Sequence, residues 1–127
     1  MIMNRVLIVD DEPHVIRVLK LALSRIGVQV DEAYNGVTAL EYLQSQQPNA
    51  VITDIDMPRM DGRTLCHRIC DLFPNRAFPI FIMTARAELE HRQWARSIPN
   101  LTFMEKPLSI RKLIKSLSEH FLADGER

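Results

Sequence analysis

Acidic side chains stand at the ends of two apolar runs in this 127-residue chain, and a hydroxyl and an ammonium close two more. Val6-Leu7-Ile8-Val9 gives way to Asp10-Asp11-Glu12, and Val51-Ile52-Thr53 gives way to Asp54. Ile80-Phe81-Ile82-Met83 stops at Thr84, while Leu101-Thr102-Phe103-Met104 is followed by Glu105 and Lys106. Short uninterrupted apolar runs suit strands covered on both faces of a parallel sheet. Open parallel sheets bind ligands beyond the carboxyl ends of their strands. Carboxylates, a hydroxyl and an ammonium gathered there would hold a divalent cation and support phosphoryl chemistry.

If the first and third runs are neighbouring strands, they lie about 4.8 Å apart. Asp10, Asp11 and Asp54 must then crowd one small region. Two carboxylates ~5 Å apart repel by roughly 3 kcal/mol at an effective dielectric near 20. Such a group requires a cation or a proton among its members. Oxygen donors without thiolates favour a hard ion, and few protein ligands with partial hydration favour Mg²⁺ over Ca²⁺. Capping of the following helix would account for one acid at its positive end. It does not account for three in a row and Asp54 besides.

The elements that must position these groups alternate strictly. A strand from Arg5 to Val9 leads into a helix from Pro13 to about Ile26, with Pro13 in the first turn and Gly27 as its stop. Ile16, Leu19, Leu23 and Ile26 recur at helical spacing. The second strand, Val28 to Ala33, alternates apolar with polar and belongs at a sheet edge. Asn35-Gly36 reads as a turn before a helix from Val37 to Ser45. A third strand spans Ala50 to Asp54, and a third helix about Arg63 to Phe73. A strand from Pro79 to Thr84, a weaker helix from Leu89 to Ser97 and a strand from Leu101 to Met104 follow. A last helix runs from a Ser109 cap to about Leu122, with Ile110, Leu113, Ile114, Leu117 and Phe121 as its stripe. Right-handed crossovers between such strands put helices on both faces, so the fold class is a doubly wound α/β sheet of five parallel strands with five helices.

Composition bounds the rest. Apolar residues make up 46% and charged ones 25%, ordinary usage for one globular domain. Sixteen basic and sixteen acidic residues cancel, which gives no whole-domain reason to bind nucleic acid or an anionic membrane. Arg111, Lys112 and Lys115 form only a small basic patch. No apolar run approaches the ~20 residues of a spanning helix, and no secretory pattern opens the chain. Cys66 and Cys70, one helical turn apart, read as reduced packing residues, and the cytoplasm is the expected compartment. Residues 4–123 read as the domain, and 124–127 as a polar tail or the start of a linker.

Four segments together resemble the bacterial two-component response-regulator receiver domain. They are Val6-Leu7-Ile8-Val9-Asp10-Asp11-Glu12-Pro13 with Arg17, Asp54-Ile55-Asp56-Met57-Pro58-Arg59-Met60-Asp61-Gly62, Met83-Thr84-Ala85 and Glu105-Lys106-Pro107. They occur in the family's order and spacing, and the likeness runs from about Arg5 to Leu122. The resemblance implies a flavodoxin-like strand order 2-1-3-4-5. It implies that Asp54 accepts a phosphoryl group from a histidine kinase or phosphotransfer protein. It also implies self-catalysed phosphorylation and dephosphorylation rather than turnover of a separate substrate. Asp11 and Asp54 match direct Mg²⁺ ligands, with Mn²⁺ as a substitute; Asp10 matches a ligand acting mainly through water, and the backbone carbonyl of Asp56 a further one. Lys106 matches the cation that meets the phosphoryl group. Thr84 and Phe103 match the switch, Phe103 standing where tyrosine is frequent. A cis Lys106-Pro107 bond is implied as well. Asp56 and Arg86, two residues after Asp54 and Thr84, would border the path of hydrolytic water, and we expect them to pair across the site and tune the lifetime of the phosphate.

The resemblance implies further partners: a downstream protein or an appended effector domain, met by the face of helix four, strand five and helix five. It leaves homodimerisation through helices four and five open. Trp94, the sole tryptophan, reads either as a partner anchor or as packing against the sheet. Other classes compete. A haloacid-dehalogenase-like phosphatase shares a nucleophile like Asp54-Ile55-Asp56, but there the acidic pair follows the nucleophile. A flavodoxin-like electron carrier needs a phosphate-cradling loop where this chain puts three acids. A receiver-like module that is never phosphorylated would serve only to bind.

Overall fold

The computed structural model describes residues 4–85, 89–106 and 109–125, in which strands and helices alternate. In chain order they are β1 (Arg5–Val9), α1 (Pro13–Ser24), β2 (Gln29–Ala33), α2 (Gly36–Ser45), β3 (Ala50–Asp54) and α3 (Gly62–Leu72). Then follow β4 (Ile80–Thr84), α4 (Leu89–Arg96), β5 (Leu101–Glu105) and α5 (Ile110–Gly125). All strand pairs are parallel, in the order β2-β1-β3-β4-β5. The fold class and the edge position of β2 are as the sequence implies.

Alternation along each strand sorts the core into two layers. Leu7, Val9, Val51, Ile80 and Ile82 face α2, α3 and α4, joining Leu43, Leu65, Cys66, Ile69 and Trp94. Val6, Ile8, Ile52, Phe81 and Met83 face α1 and α5, joining Ile16, Leu19, Leu23, Leu113 and Leu117. Covered on both faces, β1, β3 and β4 tolerate scarcely any polar side chain before their carboxyl ends.

Helix ends differ from the sequence expectation where side chains cap. Asn35 Oδ1 accepts the Thr38 N–H at 2.9 Å, so α2 begins at Gly36 rather than after a turn. Asp61 Oδ1 does the same for the Thr64 N–H at 2.8 Å, starting α3 at Gly62. Helix α1 ends at Ser24, because the chain turns through Gly27 at φ 80° and the Val28 N–H returns to the Leu23 carbonyl. Ile26 is thereby exposed and leaves the expected stripe. Ser109 Oγ accepts the Lys112 N–H at 3.3 Å as the expected cap, and α5 continues to Gly125.

Trp94 packs inside. It is 9% exposed, and its Nε1–H donates to His67 Nε2 at 2.9 Å. The Arg63 guanidinium lies 4.9 Å from its ring centre and pairs with Glu90 at 3.6 Å. The partner-anchor reading of Trp94 is therefore replaced by packing between α4 and α3. Cys66 is buried and Cys70 half-buried, both free thiols, and burial pushes the Cys66 thiol up to about 12.

Candidate functional site

Register brings the acids together. Val9 pairs with Thr53, so Asp10 leaves β1 beside Asp54 at the end of β3. The ladder continues one step past the strands: Asp10 N–H donates to the Ala33 carbonyl, Ile55 N–H to Met83 and Lys106 N–H to Thr84, at 3.1, 3.0 and 2.8 Å. These bonds anchor the backbone from which each polar group departs. Asp54 Oδ1 also accepts the Ile55 N–H at 2.8 Å, and Asp10 Oδ1 accepts the Glu12 N–H at 2.9 Å. Each carboxylate is thus held by one oxygen, and the other is aimed inward.

One oxygen from each of Asp10, Asp11, Glu12 and Asp54 lies within 4.8 Å of the others. Asp10 and Asp54 are buried, while Asp11 and Glu12 face solvent. The Lys106 ammonium stands 3.3 Å from Asp54 Oδ2 and 3.4 Å from Asp10 Oδ2. Burial lifts both carboxyls above the ordinary carboxylate range, against the pull of Lys106, and for Asp54 the neighbouring Asp10 adds to the rise. Burial alone would lower the Lys106 ammonium, but Asp54 and Asp10 together lift it above its usual value. Among the described residues the Lys106 ammonium meets Asp10 and Asp54, and the His14 imidazole lies 3.3 Å from Glu12, so carboxylates outnumber the cations set against them. The donor set is all carboxylate oxygen, with neither thiolate nor imidazole, and so fits a hard divalent cation.

The loop after β3 is shaped by close approach. A Cβ on Gly62 would lie 2.2 Å from the Asp54 carbonyl oxygen, and the Gly62 N–H donates to Ile55 at 2.7 Å. Only glycine lets α3 start against the strand that carries Asp54. The sequence presented Gly62 within a motif, but nothing local showed that it touches Asp54.

Thr84 is buried at the end of β4, one strand away from Asp54. Phe103 is half-buried on the α4 face, with the Arg92 guanidinium 5.3 Å from its ring centre. Asp56 is exposed in the loop after β3; Arg86 and Pro107 lie outside the described residues, so neither the Asp56–Arg86 pairing nor the Lys106–Pro107 bond is described. Glu12 joins the acid group, though the sequence placed it only in the run that follows β1. A hollow of about 760 Å³ between β5 and α5 includes Lys106 but none of the four acids. A smaller apolar one of about 250 Å³, lined by His14, Val15, Val18, Leu19, Met83, Lys106 and Ile110, opens beside the site. Opposed charges converge at the acid cluster.

Residues 6–118 match the model of the response regulator receiver domain. The chain belongs to that family. Its role is that of a phosphoacceptor in two-component signalling, and neither the phosphatase nor the never-phosphorylated binding module is favoured. The receiver is 33% identical over 110 residues to the response regulator MprA of Mycobacterium ulcerans, covering 87% of this chain and 47% of that protein. It thus spans about half the length of the curated relatives it matches. Among solved structures, a receiver domain protein from Methanospirillum hungatei superposes with a TM-score of 0.89 at 24% identity, covering 99% of this chain and 100% of that one. The response regulator TrrA of Thermotoga maritima, solved in complex with Mg(2+)-BeF, superposes with a TM-score of 0.80 at 27% identity, covering 93% and 99%. No helix among the described residues of this receiver is long and apolar enough to cross a membrane.

Proposed function

We propose that Asp54 is the phosphoacceptor of this receiver and that the groups around it serve its phosphorylation. The observation that carries the reading is the Lys106 ammonium held between the Asp54 and Asp10 carboxylates, at the carboxyl edge of the sheet. Asp54 Oδ2, the oxygen that faces Lys106, attacks the phosphorus of a phosphohistidine on a histidine kinase or phosphotransfer protein. An O–P bond forms, the donor's N–P bond breaks, and the imidazole leaves with that electron pair. Lys106 follows the incoming charge, meeting a phosphoryl oxygen in place of the Asp54 oxygen it now contacts.

Asp10, Asp11, Asp54 and the backbone carbonyl of Asp56 would hold Mg²⁺, or Mn²⁺ in its stead. The all-oxygen donor set and the solved complex of TrrA with Mg(2+)-BeF support that assignment. When bound, the ion offsets charge on the phosphoryl oxygens. The Thr84 hydroxyl then turns toward the new acceptor and Phe103 moves with it, biasing the α4-β5-α5 face toward a downstream protein or an appended effector domain. Homodimerisation through α4 and α5 is one form such an output takes. Asp56 and Arg86 set how long the phosphate survives. The receiver, residues 4–123, catalyses only its own phosphorylation and dephosphorylation, in the cytoplasm.

Incubation with Mg²⁺ and a small acyl phosphate tests the reading, with intact mass as readout. One added phosphoryl group on the parent chain, absent from Asp54→Asn, is the expected result. Equal labelling of both chains would sink it.

A further inference from the structure

Arg92 takes no part in the acid cluster, yet it grips the strand that delivers Lys106. Side chains alternate along β5, so Phe103 and Glu105 share the α4 face while Met104 packs on the other. The Arg92 guanidinium lies over the Phe103 ring at 5.3 Å and pairs with the Glu105 carboxylate. Glu105 is the register partner of Thr84, and the next residue is Lys106. The Lys106 N–H is bonded to the Thr84 carbonyl at 2.8 Å and its ammonium to Asp54 and Asp10. One guanidinium on α4 therefore holds Phe103 and Glu105, three residues and one residue before the lysine of the site.

Strand β5 has reason to need this. Among the described residues it lies at the sheet edge and pairs with β4 alone, and edge strands open more readily than central ones. Phe103 and Glu105 are only partly covered by the rest of the domain. A cation stacked on an aromatic ring and paired with a half-exposed carboxylate adds little to global stability. It suffices to suppress fraying of a strand end. We propose that Arg92 is a positioning residue, clamping Phe103 and Glu105 so that β5 stays in register to its last residue and Lys106 stays against Asp54. The proposal rests on the reading of Asp54 as phosphoacceptor for its functional consequence, but not for its structural one.

Arg92→Met keeps the apolar stem and removes the charge. Amide hydrogen exchange by NMR reads the clamp without any phosphorylation. The Lys106 amide exchanges about tenfold faster in Arg92→Met, while the Val51 amide, bonded to Pro79 across β3 and β4, is unchanged. With a small acyl phosphate, the maximal phosphorylation rate falls about threefold or more, with the half-saturating donor concentration unchanged. Arg92→Lys recovers part of both effects, and the charge-swapped pair Arg92→Glu with Glu105→Arg recovers more than either single change. Glu105→Gln breaks the pair from the other side and is read in the same way should Arg92→Met fail to fold. A Lys106 amide that exchanges as in the parent, or a loss that neither Arg92→Lys nor the swapped pair recovers, overturns the proposal. A parent chain that takes no phosphoryl group refutes the Asp54 reading instead, and the amide measurement still decides the clamp.

Discussion

Asp54 and Asp10 occupy an uncomfortable position for carboxylates, and their protonation makes that measurable. Both are buried with carboxyls held above the ordinary range, so the folded domain binds their protons more tightly than the unfolded chain does. Stability therefore falls as pH rises from the unfolded carboxyl value through the raised folded one. Asp54→Asn removes one such charge, and in the absence of divalent ions it should stabilise the domain by about 1–2 kcal/mol at pH 7. That gain should shrink toward zero near pH 4, which urea unfolding of both proteins at the two pH values checks. Lys106→Met acts in the opposite sense, because it leaves two buried carboxylates without their cation. It should cost about 2–3 kcal/mol at pH 7 and less at pH 4, in the same titration. The Lys106 ammonium is held above its usual value, so its contribution persists through neutral pH and is lost only in alkali.

Short connections between elements carry constraints as strict as those of the charges. Helix α3 begins so close to β3 that a methyl group at residue 62 would overlap the Asp54 carbonyl oxygen at 2.2 Å. Gly62→Ala must push the helix start away or move Asp54, and should destabilise the domain by about 3 kcal/mol, read from chemical denaturation. Two residues before the cap, Arg59 adopts φ 68°, a left-handed conformation that costs a non-glycine residue roughly 1 kcal/mol. Much at this scale was legible. The uninterrupted runs of β1, β3 and β4 announced double coverage, and the alternation in Gln29-Val30-Asp31-Glu32 announced an edge. Helix starts were less so, because Asn35 and Asp61 cap through side chains and make Gly36, which read as a turn residue, and Gly62 the first residues of helices. Trp94 was undecidable from its neighbours, since the rotation of an eight-residue helix depends on what it packs against.

Considered whole, the receiver stores negative charge at one edge of its sheet and relieves it by what it binds. A ligand that binds only the folded state stabilises it by RT ln(1 + [L]/Kd), which at tenfold excess over Kd is about 1.4 kcal/mol. Mg²⁺ at such a concentration should therefore stabilise the parent by that free energy and raise its unfolding midpoint, and Asp54→Asn should respond less. Thermal unfolding with increasing Mg²⁺, and again after chelation, checks both. The same edge holds the backbone bonds that tie Lys106 to Thr84 and Ile55 to Met83, so charge relief and strand-end order are coupled across the sheet.

The amino-acid sequence by itself determined which residues stand at strand ends, because an apolar run covered on both faces terminates wherever the first charge must reach water. It also determined the family, through four short segments in fixed order. What it left open was proximity. Asp54 and Lys106 are 52 positions apart in the chain, and their separation of 3.3 Å follows from strand order and register, which arise from crossovers and packing of the whole domain. The same holds for Gly62 beneath Asp54 and Arg92 above Phe103: local pattern specifies elements, and only their assembly decides which side chains meet.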